Sequence, residues 1–462
     1  MHRCFRPLLA ATLALGVLAP AMARPPVPIT HPAPSGRIKF DLKKFIPTSE
    51  LRPGMKGYAL SVFKGTKIEK FGVEILGVLD KINNGQDWIL FRATSGTPVT
   101  RGLNIASGMS GSPVYINGRL AGAIAASIPF SKDPVGLVTP IQDMFDAWSP
   151  DLPAKPSSMS ATMAPGTSSG ATNQLSLGGG FGARPQGFQP LDIPIAVSGV
   201  SSQGVRRLQD ALAPFHVNVV AGAGAGALGP SEAIQARGAK LVPGSAVGVS
   251  LVQGDMDFTA TGTVTYRDGN RILIFGHPFF GLGPIDAALT TAYVVDVNPS
   301  YQNSIKLGAP IKTVGRIFQD RPYSVGGVIG SMPQMIPVSI AINDQTIKRR
   351  KTFNFRVINH PLLTSQLVTQ MADQAIVQVH GLPGDTIAKV SFDADVEEIG
   401  HVKRSNIFYD AVSIDQSAIS DLNTLLQLLS SNPFYPLALK SLKMNVTIQN
   451  RHDTAEIDHI FL

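Results

Sequence analysis

The stretch Ile105-Ala-Ser-Gly-Met-Ser-Gly-Ser-Pro-Val-Tyr-Ile-Asn-Gly-Arg-Leu-Ala-Gly122 sets a serine in a glycine-rich turn that runs straight into a β-hairpin. Gly108 and Gly111 flank Ser110, so the backbone can turn sharply and its N–H groups can converge on one point, as an oxyanion hole requires. Val114, Ile116, Leu120 and Gly122 bracket Asn117-Gly118, the dipeptide favoured by a two-residue type I′ turn. The pattern puts the serine at the rim of a sheet.

Working outward, short Val/Ile/Thr-rich runs punctuated by 45 Gly and 35 Pro indicate a mainly β chain in which helix is the minority. At 462 residues it is long enough for two or three domains. The expected organisation is a signal peptide over 1–23, a Pro-rich leader over 24–35, a serine-bearing barrel half over 36–150, a flexible Ser/Gly/Pro linker over 151–187, a histidine-bearing barrel half over 188–345 and a β-rich C-terminal region with helices over 346–462. The spacing predicts helices over Pro140–Trp148, Gly204–Phe215, Leu362–Gln374 and Ser417–Leu429, and a strand over Ala375–Val379. Strand candidates on either side of them include Phe71–Leu79, Ile311–Ile317 and Met444–Gln449.

Arg3 and Arg6, the apolar run Leu8–Leu18 and the small-residue site Ala21-Met-Ala23 have the form of a secretory signal, with cleavage expected after Ala23. No later stretch offers about 18 consecutive apolar residues, so no membrane span is expected after cleavage. The single Cys4 lies inside that signal, which leaves no disulfide and no thiolate chemistry to the mature chain. Export without cysteine fits a periplasmic or secreted protein. Losing Arg3 and Arg6 lowers the formal charge from +8 to +6, modest for this size. The densest basic cluster, Lys348-Arg-Arg-Lys351, reads as a solvated strand end, so no nucleic acid partner is expected.

Gly222–Gly229 lacks the Lys-Ser/Thr ending of a phosphate-binding loop and reads as a connector. The histidines at 216, 360, 380, 401, 452 and 459 are scattered without ligand spacing, so no metal and no cofactor is expected.

A serine hydroxyl needs a base to take its proton. Of the nine histidines, His277 stands out, because Thr261–Asp268 and Arg271–Phe275 form a hairpin around an Asp-Gly turn and deliver it directly after Gly276. Ser110 and His277 thus sit in comparable settings, each where a strand meets a glycine. Chymotrypsin-like peptidases have this layout, one barrel presenting a histidine after a hairpin and the other a serine in a Gly-x-Ser-Gly turn. Here the serine unit comes first, and the same geometry is known to arise from different chain orders.

Gly108-Met-Ser-Gly-Ser-Pro113 is similar to the serine motif of the SpoIVB-type serine peptidases, a family of exported bacterial enzymes that process partner proteins. Pro53-Gly-Met55, Phe63-Lys-Gly-Thr-Lys-Ile-Glu-Lys-Phe-Gly-Val-Glu-Ile75 and Thr261-Gly-Thr-Val-Thr265 through Gly276-His277 extend the resemblance over roughly residues 50–145 and 255–280. It implies a chymotrypsin-like double β-barrel with Ser110 as nucleophile, His277 as general base and the N–H groups of Gly108 and Ser110 as oxyanion hole, acting on a protein or peptide substrate. The family's acid lies a little upstream of its serine, where Thr94-Ser-Gly-Thr97 offers no carboxylate. Asp320, which trails His277 by a same-barrel spacing, is the first candidate for the acid, Asp286 the second, and Asp87 the nearest before the serine. The rival expectation is a non-catalytic binding or assembly module on the same scaffold.

Overall fold

The computed structural model of the protein describes residues 40–83, 86–149, 187–212, 217–222, 228–381, 383–432 and 437–452. The expected signal peptide, the leader and all of the linker except Gly187 lie outside them.

Alternating apolar residues first build a small barrel. Its strands are β1 (Lys56–Val62), β2 (Ile68–Asn83), β3 (Gln86–Ala93), β4 (Pro113–Ile116), β5 (Arg119–Ser127) and β6 (Val135–Pro140), with a short helix α1 (Thr97–Thr100) between β3 and β4 and α2 (Ile141–Met144) after β6. They pair antiparallel in the order β4-β1-β2-β3-β6-β5, and the β4–β5 pairing closes the ring. Ala59, Val73, Ile89, Phe91, Val114, Ile124 and Val138 point inward and pack together. Asn117 and Gly118 between β4 and β5 have φ of 52° and 75°, the two left-handed residues a type I′ turn needs.

The chain re-enters as β7 (Gln189–Pro190), β8 (Ile193–Ser198), helix α3 (Ser202–Leu212), β9 (Val217–Ala221) and helix α4 (Pro230–Arg237). A second ring follows, made of β10 (Ala246–Gly254), β11 (Asp257–Asp268), β12 (Arg271–Ile274), β13 (Gly283–Asn298), β14 (Ile305–Arg321) and β15 (Ser324–Ile329). These pair antiparallel in the order β10-β13-β14-β15-β12-β11 and close through β10–β11. The fold is therefore mainly β, a chymotrypsin-like double barrel with the serine-bearing ring first.

The second ring is open to growth on two sides. β8 lies on β11, with β9 parallel beyond it, while β17 (Arg349–Ile358) pairs with β10 and carries β16 (Met335–Asp344) outward. Helix α5 (Thr364–Val379), β18 (Thr386–Val396), β19 (Gly400–Asp410), helices α6 (Ile414–Ala418) and α7 (Ser420–Ser430), and β20 (Leu439–Gln449) complete the C-terminal region. The sheet there runs β17-β16-β20-β18-β19.

One expectation is corrected. Ala375–Val379, read as a strand from its β-branched residues, is the last part of α5. Leu367, Val368, Met371, Ala372, Ala375, Ile376 and Val379 are all buried, so the helical stripe continues through it and burial overrides the local strand preference.

Candidate active site

The two rings meet at the serine turn. Gly108 and Gly111 both take φ of 91°, and the turn is tied by Met109 N–H to Ala106 O (3.0 Å) and Ser112 N–H to Met109 O (2.8 Å). Strand β11 of the second ring clamps it. Thr263 N–H donates to Ser110 O (2.9 Å), Thr263 Oγ1 donates to Gly108 O (3.1 Å) and Thr265 Oγ1 donates to Gly111 O (2.8 Å). Strand β14 adds Lys306 N–H to Ser107 O (2.9 Å), and Ser107 N–H donates to Ser304 O (2.8 Å). Only glycine fits at 111, since a side-chain carbon there would stand 2.1 Å from Thr263 O and 2.6 Å from Phe275 N.

At the end of β12 the chain bends through two left-handed residues, Phe275 (φ 72°) and Gly276 (φ 73°), before His277. A bulky residue at such a φ is strained, and here burial of the Phe275 ring against Gly262 holds it in place. The Phe275 and His277 rings stack with their planes 8° apart. Thr139 Oγ1, from the first ring, donates to Gly276 O (2.5 Å).

These clamps bring Ser110 Oγ to 2.8 Å from His277 Nε2. The other ring nitrogen, Nδ1, lies 2.8 Å from Pro278 O. A carbonyl only accepts, so Nδ1 carries the proton, and in the neutral ring Nε2 is the acceptor for the Ser110 hydroxyl. Both side chains are buried, Ser110 to 2% exposure and His277 to 3%. Among the described residues, the N–H groups of Gly108 and Ser110 donate to no protein acceptor.

The three candidate acids have the following partners. Asp320, near the end of β14, accepts N–H bonds from Phe279 (2.8 Å), Phe280 (2.7 Å) and Leu282 (3.2 Å), so it holds the loop that follows His277. Burial pushes its carboxyl up, against the pull of those N–H groups. Asp286 accepts from Gln334 N–H (2.8 Å) and lies 3.6 Å from Arg316. Asp87 accepts from Thr48 Oγ1 (2.8 Å).

Lys306 escaped sequence reasoning. Its backbone bonds Ser107, and its fully buried side chain runs under the turn, where a side-chain carbon on Gly108 would stand 2.7 Å from Lys306 Cβ. The amine donates to Ser61 Oγ (3.0 Å) and Thr263 Oγ1 (3.4 Å), and Ser112 Oγ donates to Ser61 Oγ (3.1 Å). Burial brings its pKa down to about 7. Nothing in Ser304-Ile-Lys-Leu-Gly308 marks it, because the register that turns this lysine inward is set by pairing with β13.

Among the described residues no group of three or more His, Cys, Asp or Glu side chains is arranged to hold a metal, and no helix is long and apolar enough to cross a membrane. Neither the curated proteins nor the solved structures yield a match to the chain. A family model does match, over residues 44–145, roughly a fifth of the chain. It covers the serine turn and supports a serine peptidase function. The barrel that carries Gly108-Met-Ser-Gly-Ser-Pro113 is thus similar to that of the SpoIVB peptidases, family S55.

Proposed function

We propose that the protein is an exported serine endopeptidase of the periplasm or extracellular space, acting on protein substrates in envelope signalling or maturation. The observation that carries the reading is the 2.8 Å approach of Ser110 Oγ to His277 Nε2, with Nδ1 held on Pro278 O. Ser110 Oγ attacks the substrate carbonyl carbon while Nε2 takes the hydroxyl proton. The oxyanion is met by the unused N–H groups of Gly108 and Ser110. The C–N bond then breaks, Nε2 returns the proton to the leaving amine, and water releases the acyl group by the same steps in reverse roles. Asp320 is a positioning residue in this scheme, seating the loop that carries Pro278. Self-processing within 151–187 belongs to the same proposal.

The test is labelling of the full chain by a fluorophosphonate probe. Ser110→Ala should abolish it and His277→Ala should slow it by about 10⁴-fold or more. Equal labelling of wild type and Ser110→Ala sinks the assignment. The burial of both side chains favours a second reading, a non-catalytic binding module on a peptidase scaffold. A folded wild type that is never labelled, with or without an added peptide, would select it.

A further inference from the structure

A short piece of this same chain, residues 188–191, lies along the strand that flanks the serine turn. Strand β5 lies directly beside the serine turn, because Gly111 N–H donates to Ile124 O (2.9 Å) and Ile124 N–H donates to Ser112 O (3.0 Å). The histidine side meets β5 at the same point, since a side-chain carbon on Gly276 would stand 3.3 Å from Ile124 O. One residue further on, Ala125 O accepts the N–H of Leu191 (3.0 Å). Pro190 then pairs with Ala126 and Gln189 with Ser127, antiparallel.

The edge involved is otherwise unused. On one side β5 pairs with β6 as far as Ser127, and on the other β4 occupies it only up to Ala123. From Ala125 onward that second edge would stand open, and an extended peptide can add to it by main-chain hydrogen bonds. Residues 189–191 do this. Leu191 is 1% exposed and buried in the first ring's core, in the cluster that includes Leu103, Ile105, Ala106 and Met109, the residues leading into the serine turn. Phe188 packs on the separate cluster of Trp88, Ala125, Ala126 and Leu137.

Beyond Leu191 the chain continues along the turn. Asn303 Nδ2 bridges Asp192 Oδ2 (3.1 Å) and Ser107 Oγ (2.8 Å), and Pro194 Cγ lies 3.2 Å from where a side-chain carbon on Gly108 would stand. The Leu191–Asp192 peptide is thereby placed between the edge of β5 and the Ser107–Gly108 limb of the serine turn. Its carbonyl receives neither the Gly108 nor the Ser110 N–H, so the segment is seated without being engaged for reaction.

We propose that residues 188–191 are a built-in occupant of the peptide-binding groove, and that the groove takes extended peptides with an apolar, leucine-like side chain on the acyl side of the cut bond. This rests on the peptidase reading of Ser110 and His277. The buried Leu191 site is formed by an apolar cluster, which accepts an aliphatic chain and imposes a desolvation cost on a lysine or aspartate. A tethered occupant competes at an effective concentration of about millimolar, so a substrate in trans binds only to the fraction of molecules in which the segment has lifted. The occupant therefore acts on KM and leaves kcat unaltered.

The experiment uses the full chain and anilides of Phe-Gln-Pro-Xaa, with Leu, Lys or Asp as Xaa. Leu191→Ala removes the buried side chain that anchors the occupant, so KM for the leucine substrate should fall at least about 10-fold with kcat little changed, and fluorophosphonate labelling should speed up similarly. Pro190→Gly, which loosens the segment without emptying the leucine site, should act in the same direction and serves if Leu191→Ala fails to fold. The lysine and aspartate substrates should be cut at least about 100-fold less well than the leucine one by either variant. Unchanged KM and labelling in folded variants, or equal cleavage of the three peptides, overturns the proposal while Ser110-dependent labelling leaves the peptidase reading standing. If no variant is labelled, the peptidase reading falls. Fluorescence anisotropy with labelled Phe-Gln-Pro-Leu then decides the groove separately, tighter binding to Leu191→Ala than to wild type supporting it and equal binding overturning it.

Discussion

The imidazole of His277 donates from Nδ1 to the carbonyl of the very next residue, Pro278, at 2.8 Å. A carbonyl fixes the tautomer as a carboxylate would, but brings a dipole to the imidazolium formed during reaction where a carboxylate brings a full charge. Asp320 contributes one step away, through the loop. Asp320→Asn keeps one acceptor oxygen but turns an NH₂ toward backbone donors, leaving buried N–H groups unmet. The expected result is a loss of about 1–3 kcal/mol in denaturation free energy. The pH profile of kcat/KM should keep its midpoint, because the direct Nδ1 partner is unchanged.

Gly111 lies hard against strand β11 and the end of β12 in the second ring. Gly111→Ala would push a methyl into Thr263 O and impose a left-handed φ on a residue with a side chain. Stability should fall by about 3 kcal/mol or more, read as the urea midpoint, with fluorophosphonate labelling lost in the fraction that remains folded.

The threonine clamp is open to a milder test. Thr265→Val keeps the shape but removes the bond to Gly111 O, and the expected loss is about 0.5–1.5 kcal/mol. Thr263→Val removes both the bond to Gly108 O and an acceptor for Lys306. It should cost more in kcat than Thr265→Val at comparable stability, since in the proposed mechanism Gly108 supplies one oxyanion donor.

Lys306 gives the chain a distinctive pH response. Its folded pKa, about 7, lies below its ordinary value of 10.5, so between those pH values the unfolded chain binds more protons. The lysine's contribution to stability is therefore greatest above about pH 10 and is lost as pH falls through about 7. Lys306→Met lacks this dependence. Urea midpoints at pH 7, 8.5 and 10 should show wild type gaining a few kcal/mol on the variant as pH rises.

Much of the architecture was readable where the signal is local. Asn117-Gly118 adopts its hairpin turn, and the strand, glycine and histidine of Arg271–His277 stand as their pattern suggested. The 2.8 Å meeting of Ser110 and His277 needs two sequence-distant rings to dock, and the docking groups, Thr263, Thr265 and Ser304, look like ordinary strand residues. Strands β13 and β19 went unread for opposite reasons. Gly283–Asn298 is buried almost throughout and shows no alternation, whereas Gly400–Asp410 is exposed almost throughout and shows few apolar residues. The expected 345/346 boundary falls in the turn of the β16–β17 hairpin, where Asp344 pairs with Arg349. Phe188–Leu191 carried no mark of its own, since a two-residue strand acquires meaning only from the edge it joins.

The order of the two rings also has a consequence in time. A chain made from its N-terminus presents Ser110 167 residues before His277, and β11 and β14, which clamp the serine turn, come later than the turn as well. Until they emerge, the serine has neither a proton acceptor nor a fixed turn. Reactivity is thus postponed until β14 has emerged, by which time Leu191, which precedes both clamping strands, is already available to pair with β5.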